Sequence, residues 1–116
     1  MVLKSYSKIN LTLNVNKKLK SGLHEIQSYF CLINLFDQIK INKIKSHKDK
    51  VKFKGKFANN INKSKNSVLK TLSLLRKKKI ITTHYSVLIN KNIPVFSGLG
   101  GGTSNAFTLA KYFLKK

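Results

Sequence analysis

The residues best equipped for chemistry lie in one run, Ile93-Pro94-Val95-Phe96-Ser97-Gly98-Leu99-Gly100-Gly101-Gly102-Thr103-Ser104-Asn105. Four of the chain's six glycines fall within five positions there, and two hydroxyl residues follow. Glycine tolerates positive φ and lets a ligand reach main-chain N–H groups with no Cβ in the way. A glycine turn that opens into a helix points unpaired N–H groups and the positive end of the helix dipole at one spot. Such a spot suits an anion, and nucleotide phosphate is the commonest biological one. Apolar residues on both sides argue against a flexible linker.

Two well-known glycine fingerprints do not fit. A Walker-type loop requires Gly-Lys-Ser/Thr, and no lysine precedes Thr103. The dinucleotide pattern starts at Gly98 and Gly100 but meets Thr103 where its third glycine belongs, and the acidic residue it needs further on is absent. The loop therefore implies phosphate binding of another kind.

Several elements must position this loop. Tyr6 to Val15 alternates, with Ile9, Leu11, Leu13 and Val15 on one face and Lys8, Asn10, Thr12 and Asn14 on the other, which predicts a half-buried strand. Asn16 to Leu23 reads as a turn, and Glu25 to Leu35 as a more buried strand. Asp37 to Lys45 and Val51 to Phe57 alternate again, and Ala58 to Lys65 is a polar loop. Asn66 or Ser67 can cap a helix with Val68, Leu72 and Leu75 on one side, ending in the basic run Arg76 to Lys79. His84 to Asn90 predicts a further strand. A last helix is expected from about Ser104, with Phe107, Ala110 and Leu114 on its apolar stripe. The order of elements predicts an α+β fold, a mostly antiparallel sheet packed against helices.

The 116 residues are enough for one domain with a modest core, and a hydrophobic content of 41% argues against wholesale disorder. No apolar stretch is long enough for a membrane span, and the first residues lack the apolar core of a secretory signal. The single cysteine, Cys31, cannot form an internal disulfide, which suits a reducing cytoplasm; its apolar neighbours predict a buried, inert thiol.

The net charge of +21 attracts polyanions in general. Of 24 cations, however, only Arg76 is arginine, whereas dedicated nucleic-acid surfaces recruit arginine for bidentate contacts. The lysines are spread over every element, so compositional drift explains them better than a specific nucleic-acid partner does. A basic nucleic-acid-binding module stays the alternative from another class. No His or Cys spacing suits a metal.

Three segments occur in order: Ser7-Lys8-Ile9-Asn10-Leu11-Thr12-Leu13, Gly22-Leu23-His24-Glu25-Ile26-Gln27-Ser28, and Pro94 through Ala106. Together they resemble the N-terminal part of the 4-diphosphocytidyl-2-C-methylerythritol kinases, a branch of the GHMP kinase superfamily. The glycine motif alone points to the superfamily; the other two segments narrow it to the branch and argue against homoserine or mevalonate kinases. The resemblance covers nearly all of residues 1–116.

It implies ATP-dependent phosphorylation of a cytidine-diphosphate-linked polyol in isoprenoid precursor synthesis. ATP phosphates would be held by Pro94, Val95, Phe96, Ser97, Gly98, Leu99, Gly100, Gly101, Gly102, Thr103 and Ser104. Mg²⁺ would be supported by Thr103 or Ser104. Lys8 corresponds to the family's active-site lysine, while Asn10, Leu23 and His24 would face the substrate, His24 at the cytosine.

There are departures. Leu23 stands where the family usually has Tyr, which weakens base stacking, and Thr103 replaces a serine. Phe107 replaces a small alanine, so the packing of the last helix is expected to adjust. None of Glu25, Asp37 and Asp49 corresponds to the catalytic aspartate, which is expected beyond Lys116. The chain is accordingly expected to be an incomplete N-terminal ATP-binding domain, inactive alone.

Overall fold

Alternating apolar residues in two strands and two amphipathic helices give the chain its single core. The computed structural model describes residues 1–116, with β1 (Val2–Lys18), β2 (His24–Ile44), β3 (Lys50–Lys54), α1 (Ser67–Lys77), β4 (His84–Asn90) and α2 (Gly101–Leu114). The sheet order is β1-β2-β4-β3; β1 and β4 both run antiparallel to β2, and β3 runs parallel to β4. Both helices pack on the same face, where Ile39 and Ile41 of β2 and Val87 and Ile89 of β4 meet Val68, Leu72 and Leu75 of α1 and Leu109 and Phe113 of α2. The opposite face is basic: Lys40 pairs with Leu88, which pairs with Lys52. The fold is α+β, as expected. No helix is long and apolar enough to cross a membrane.

α1 starts where its cap is. Asn66 is extended (φ −149°) and its side-chain oxygen accepts the Leu69 amide at 3.0 Å. At its other end Arg76 is fixed rather than free. Its guanidinium donates to both oxygens of Asp49 at 3.0 and 2.9 Å and to the Thr83 carbonyl at 2.9 Å, while Asp49 also accepts the Tyr85 amide. This ties α1 to the approaches of β3 and β4.

The structure corrects several expectations. Glu25 to Leu35 and Asp37 to Lys45 form one long strand, β2, with two extra residues between Ile33 and Phe36 opposite the Tyr6–Ser7 step. β1 runs on to Lys18, leaving a tighter turn than predicted, and β3 ends at Lys54 instead of Phe57.

The distal β1–β2 hairpin is neither half-buried nor buried. Ile9, Leu11, Leu13 and Val15 are all exposed, as are Ile26, Phe30 and Leu32, because this part of the ribbon extends past both helices. Cys31 lies on it and is exposed, not buried. The strict alternation of faces also fails: an irregularity at Leu11 shifts the register, so Leu13 opposes Ser28 and Val15 opposes Ile26. A bulge of this kind moves every later side chain to the other face. Leu13 and Val15 therefore join Lys8 and Asn10.

In α2 the buried residues are Asn105, Leu109 and Phe113, whereas Phe107 and Leu114 are exposed. The helix begins three residues earlier than predicted, at Gly101, and Ser5 and Tyr6 hold Ser104 against β1. That contact selects the face one position round from the predicted stripe. Phe107 consequently needs no packing adjustment; it points to solvent with Lys111 over its ring.

Candidate functional site

The glycine run is built as a helix entrance. Gly98 and Gly100 have φ +75° and +72°, and Gly100 is the N-cap of α2 with no side-chain cap bond. The first intrahelical bond runs from the Ser104 amide to the Gly100 carbonyl at 2.8 Å. The amides of Gly101, Gly102 and Thr103 precede it and have no acceptor within the helix. Glycine is favoured at Gly100 by its φ; a Cβ there would also lie 2.9 Å from Lys8 Cε and push the flexible lysine stem aside.

A second helix start faces the first. The Ser67 hydroxyl donates to the Gly102 carbonyl at 3.1 Å, bringing the capped end of α1 against the uncapped end of α2. Between them opens a cavity of about 530 Å³, lined by Phe53, residues 60–62 and 65–67, Lys91, Pro94 to Gly98, Gly100 to Thr103, and Asn105. This is an ordinary size for a small-molecule site. Two positive dipole ends and several unpaired amides on one cavity give it the chemistry to accept an anion. No carboxylate lines it.

Lys8 stands just outside this cavity. Its amide donates to the Leu99 carbonyl at 3.0 Å, pinning β1 to the loop, and its aliphatic stem crosses Gly100. Its ammonium donates to Asn10 Oδ1 at 3.4 Å, so the two residues do share a face. The two hydroxyls after the glycines differ: Ser104 accepts from Ser5 and donates to the Tyr6 carbonyl, while Thr103 is exposed and lines the cavity.

Leu23 and His24 are not brought to the loop. His24 pairs with Lys18 at the hairpin tip, eight residues along β2 from the Leu32 that opposes Lys8, and both Leu23 and His24 are exposed.

Sequence reasoning missed the far wall of the cavity. Asn66 and Ser67 were legible as a helix cap, but that the cap faces the glycine loop is a tertiary fact. Asn60 to Lys65 carries no pattern of its own. Asp37 and Lys91 form a buried ion pair with side chains 0% and 4% exposed. Asp37 did give a signal, being an acid in phase with the core residues Ile39 and Ile41.

Comparison with known proteins fits this site. Residues 66–115, from the cap of α1 through the loop and α2, match the family described as GHMP kinases N terminal domain. Over this segment the chain is similar to GHMP kinases. Over nearly its whole length it is similar to proteins named 4-diphosphocytidyl-2-C-methyl-D-erythritol kinase. That of Pelagibacter ubique is 41% identical over 98% of this chain, and that of Ureaplasma parvum 40% identical over 99%. The chloroplastic protein of Mentha piperita is 38% identical over 93%. The chain covers 40%, 44% and 26% of those three relatives, respectively. A crystal structure of 4-(cytidine 5'-diphospho)-2C-methyl-D-erythritol kinase has the same fold, with a TM-score of 0.70 at 24% identity over 99% of this chain and 40% of that one.

Proposed function

We propose that residues 1–116 form the N-terminal, ATP-binding unit of a kinase that phosphorylates the 2-hydroxyl of 4-diphosphocytidyl-2-C-methyl-D-erythritol, in isoprenoid precursor synthesis. The observation that carries this reading is the meeting of two helix N-termini on the glycine loop, with Lys8 laid against Gly100. Phosphoryl transfer depends on positioning and charge stabilisation more than on covalent chemistry by the protein. Here the amides of Gly101, Gly102 and Thr103 hold the phosphates in fixed positions. The cavity beyond, walled by Phe53, Asn60 to Asn62 and Pro94, takes the nucleoside.

Lys8 supplies a mobile positive charge at the edge of the loop, where charge builds on the transferring group. Its hydrogen bond to Asn10 aims the ammonium along the face that receives the acceptor hydroxyl. His24 and Leu23 contact the substrate from the hairpin tip, which requires the hairpin to bend towards the loop or the cytidine end to lie along it. Mg²⁺ fits this site as a passenger on the phosphates: the lining offers the Thr103 hydroxyl and no carboxylate. Thr103 is the one to hold it, since Ser104 is engaged with β1. The metal would neutralise phosphate charge. The reducing cytoplasm is the compartment that a lone, exposed Cys31 suits.

The test is a pair of titrations. Mg-ATP should bind this chain and lose about tenfold or more in affinity on removal of the γ-phosphate. Lys8→Met, placed in a chain of the relatives' full length, should lower kcat by about 100-fold while leaving ATP affinity within a few-fold. No ATP binding, or full activity in Lys8→Met, would refute the reading.

A further inference from the structure

We infer that Asp37 is the positioning residue of the glycine loop, a single carboxylate on β2 that fastens both ends of it. The inference rests on the nucleotide-site reading for its functional consequence, though not for its geometry. Asp37 Oδ1 accepts the amides of Asn92 at 2.7 Å and Ile93 at 2.9 Å, the two residues immediately before Pro94. Asp37 Oδ2 accepts from Lys91 Nζ and, at 3.1 Å, from Asn105 Nδ2 in the first turns of α2. The chain thus enters the loop at 91–93 and leaves it at 105 on the same side chain.

Between these anchors the loop has little to hold it. The Ser97 hydroxyl binds only the loop's own Pro94 carbonyl and Leu99 amide, and Phe96 takes a left-handed φ of +58° while 95% exposed. External restraint comes from the Lys8–Leu99 main-chain bond, the Ser67–Gly102 contact and, next to Asn105, the Ser104 hydroxyl held by Ser5 and Tyr6. Asp37 is the one side chain that joins the entrance to the exit, and so sets their spacing and where the amides between them point.

The position is an expensive one for a charge. Asp37 is 0% exposed and stands in the row of Ile39 and Ile41, where an apolar residue would pack without desolvation. Burying an ion pair rarely gains stability over well-packed hydrophobes. What four converging donors give is geometry: both carboxylate oxygens are filled twice, leaving one orientation. Asn105 Oδ1 is buried, without a partner, on the cavity wall, because its amide is turned to give Nδ2 to Asp37. The network accepts an unpaired acceptor to keep that strut.

Asp37→Asn tests this at constant size. Its Oδ1 can still take the Asn92 and Ile93 amides, but its Nδ2 faces the donors of Lys91 and Asn105. Two readouts separate positioning from general stability. In hydrogen exchange of the ligand-free chain, the hydrogen-bonded amides that frame the loop, Asn92, Ile93 and Ser104, should exchange about tenfold faster relative to those around Leu72 and Val87. In titrations with ATP, ADP and AMP, the gain per added phosphate should fall about tenfold, with AMP affinity nearly kept. Asn105→Ala, which removes one neutral strut, should give a smaller change of the same kind if Asp37→Asn does not fold. Unchanged loop exchange in a folded variant, or exchange that rises equally in α1 and β4, would overturn the assignment. If the wild-type chain binds no nucleotide, the nucleotide reading fails while the exchange experiment still decides the role of Asp37.

Discussion

At the scale of residues, the glycines of the loop have separate jobs that substitution can tell apart. Gly100 needs a positive φ of +72°, and a larger side chain there would displace the Lys8 stem that crosses it. Gly100→Val should therefore abolish ATP binding and also loosen β1 from the loop, seen as a lower thermal midpoint. Gly102 has a helical neighbourhood, and a Cβ there would meet nothing nearer than Ser67 Oγ at 3.8 Å. Gly102→Ala should leave thermal stability unchanged or slightly raised, since alanine favours a helix by up to ~1 kcal/mol over glycine. Its methyl would nevertheless stand among the phosphate-facing amides, so ATP affinity should drop by about tenfold. A Gly102→Ala chain that binds ATP normally would move the phosphates away from these amides.

The hydroxyls and acids at this scale show what spacing can and cannot reveal. The Thr103-Ser104 pair looks equivalent in the sequence, and only packing against Ser5 and Tyr6 assigns Ser104 to structure and leaves Thr103 facing the cavity. The shared face of Lys8 and Asn10 was legible because strand periodicity holds over two residues. It ceased to be legible past Leu11, where an extra residue reverses the alternation.

At the scale of elements, α2 gives the sharpest contrast between pattern and packing. Leu109 is 0% exposed and Phe107 is 66% exposed. Leu109→Ala should cost about 3 kcal/mol in urea unfolding. Phe107→Ala should change stability by less than about 0.5 kcal/mol. The reverse order would restore the stripe of Phe107, Ala110 and Leu114 that periodicity favours. A helix so short of polar residues offers two apolar faces, and the sequence alone does not choose between them.

The Asp49–Arg76 pair is the second element-scale test. Asp49 is nearly buried, accepts three hydrogen bonds, and joins the end of α1 to the start of β4. Asp49→Ala should leave Arg76 without its partner and destabilise the chain by about 2–3 kcal/mol by urea unfolding. ATP affinity below the transition should be unaffected, because none of these groups touches the cavity. The α1 cap was readable from Asn66, whereas this ion pair joins residues 27 apart in sequence and has no local signature.

At the scale of the whole molecule, the chain is longer than a sphere of its mass. Its radius of gyration is 15.4 Å, against roughly 13 Å for a compact domain of this size. The difference is the β1–β2 hairpin, whose exposed Ile9, Leu13, Val15, Ile26 and Phe30 have no helix over them. The α+β class and the loop were legible because they rest on local pattern. Burial of the hairpin was not, because alternation reports which residues share a face but not whether anything covers it. Hairpin amides should exchange faster than those of Ile39 to Ile41 and β4, where helices cover the sheet.

If ATP phosphates sit on the amides of the glycine loop, those amides should respond in an NMR titration with Mg-ATP. The chain's six glycines make the readout simple. Gly98, Gly100, Gly101 and Gly102 should shift together and saturate with one binding constant, while Gly22 at the hairpin turn and Gly55 after β3 stay in place. Saturable shifts at Gly22 with none in the loop, or no shifts at all, would mean that the glycine loop does not hold the phosphates.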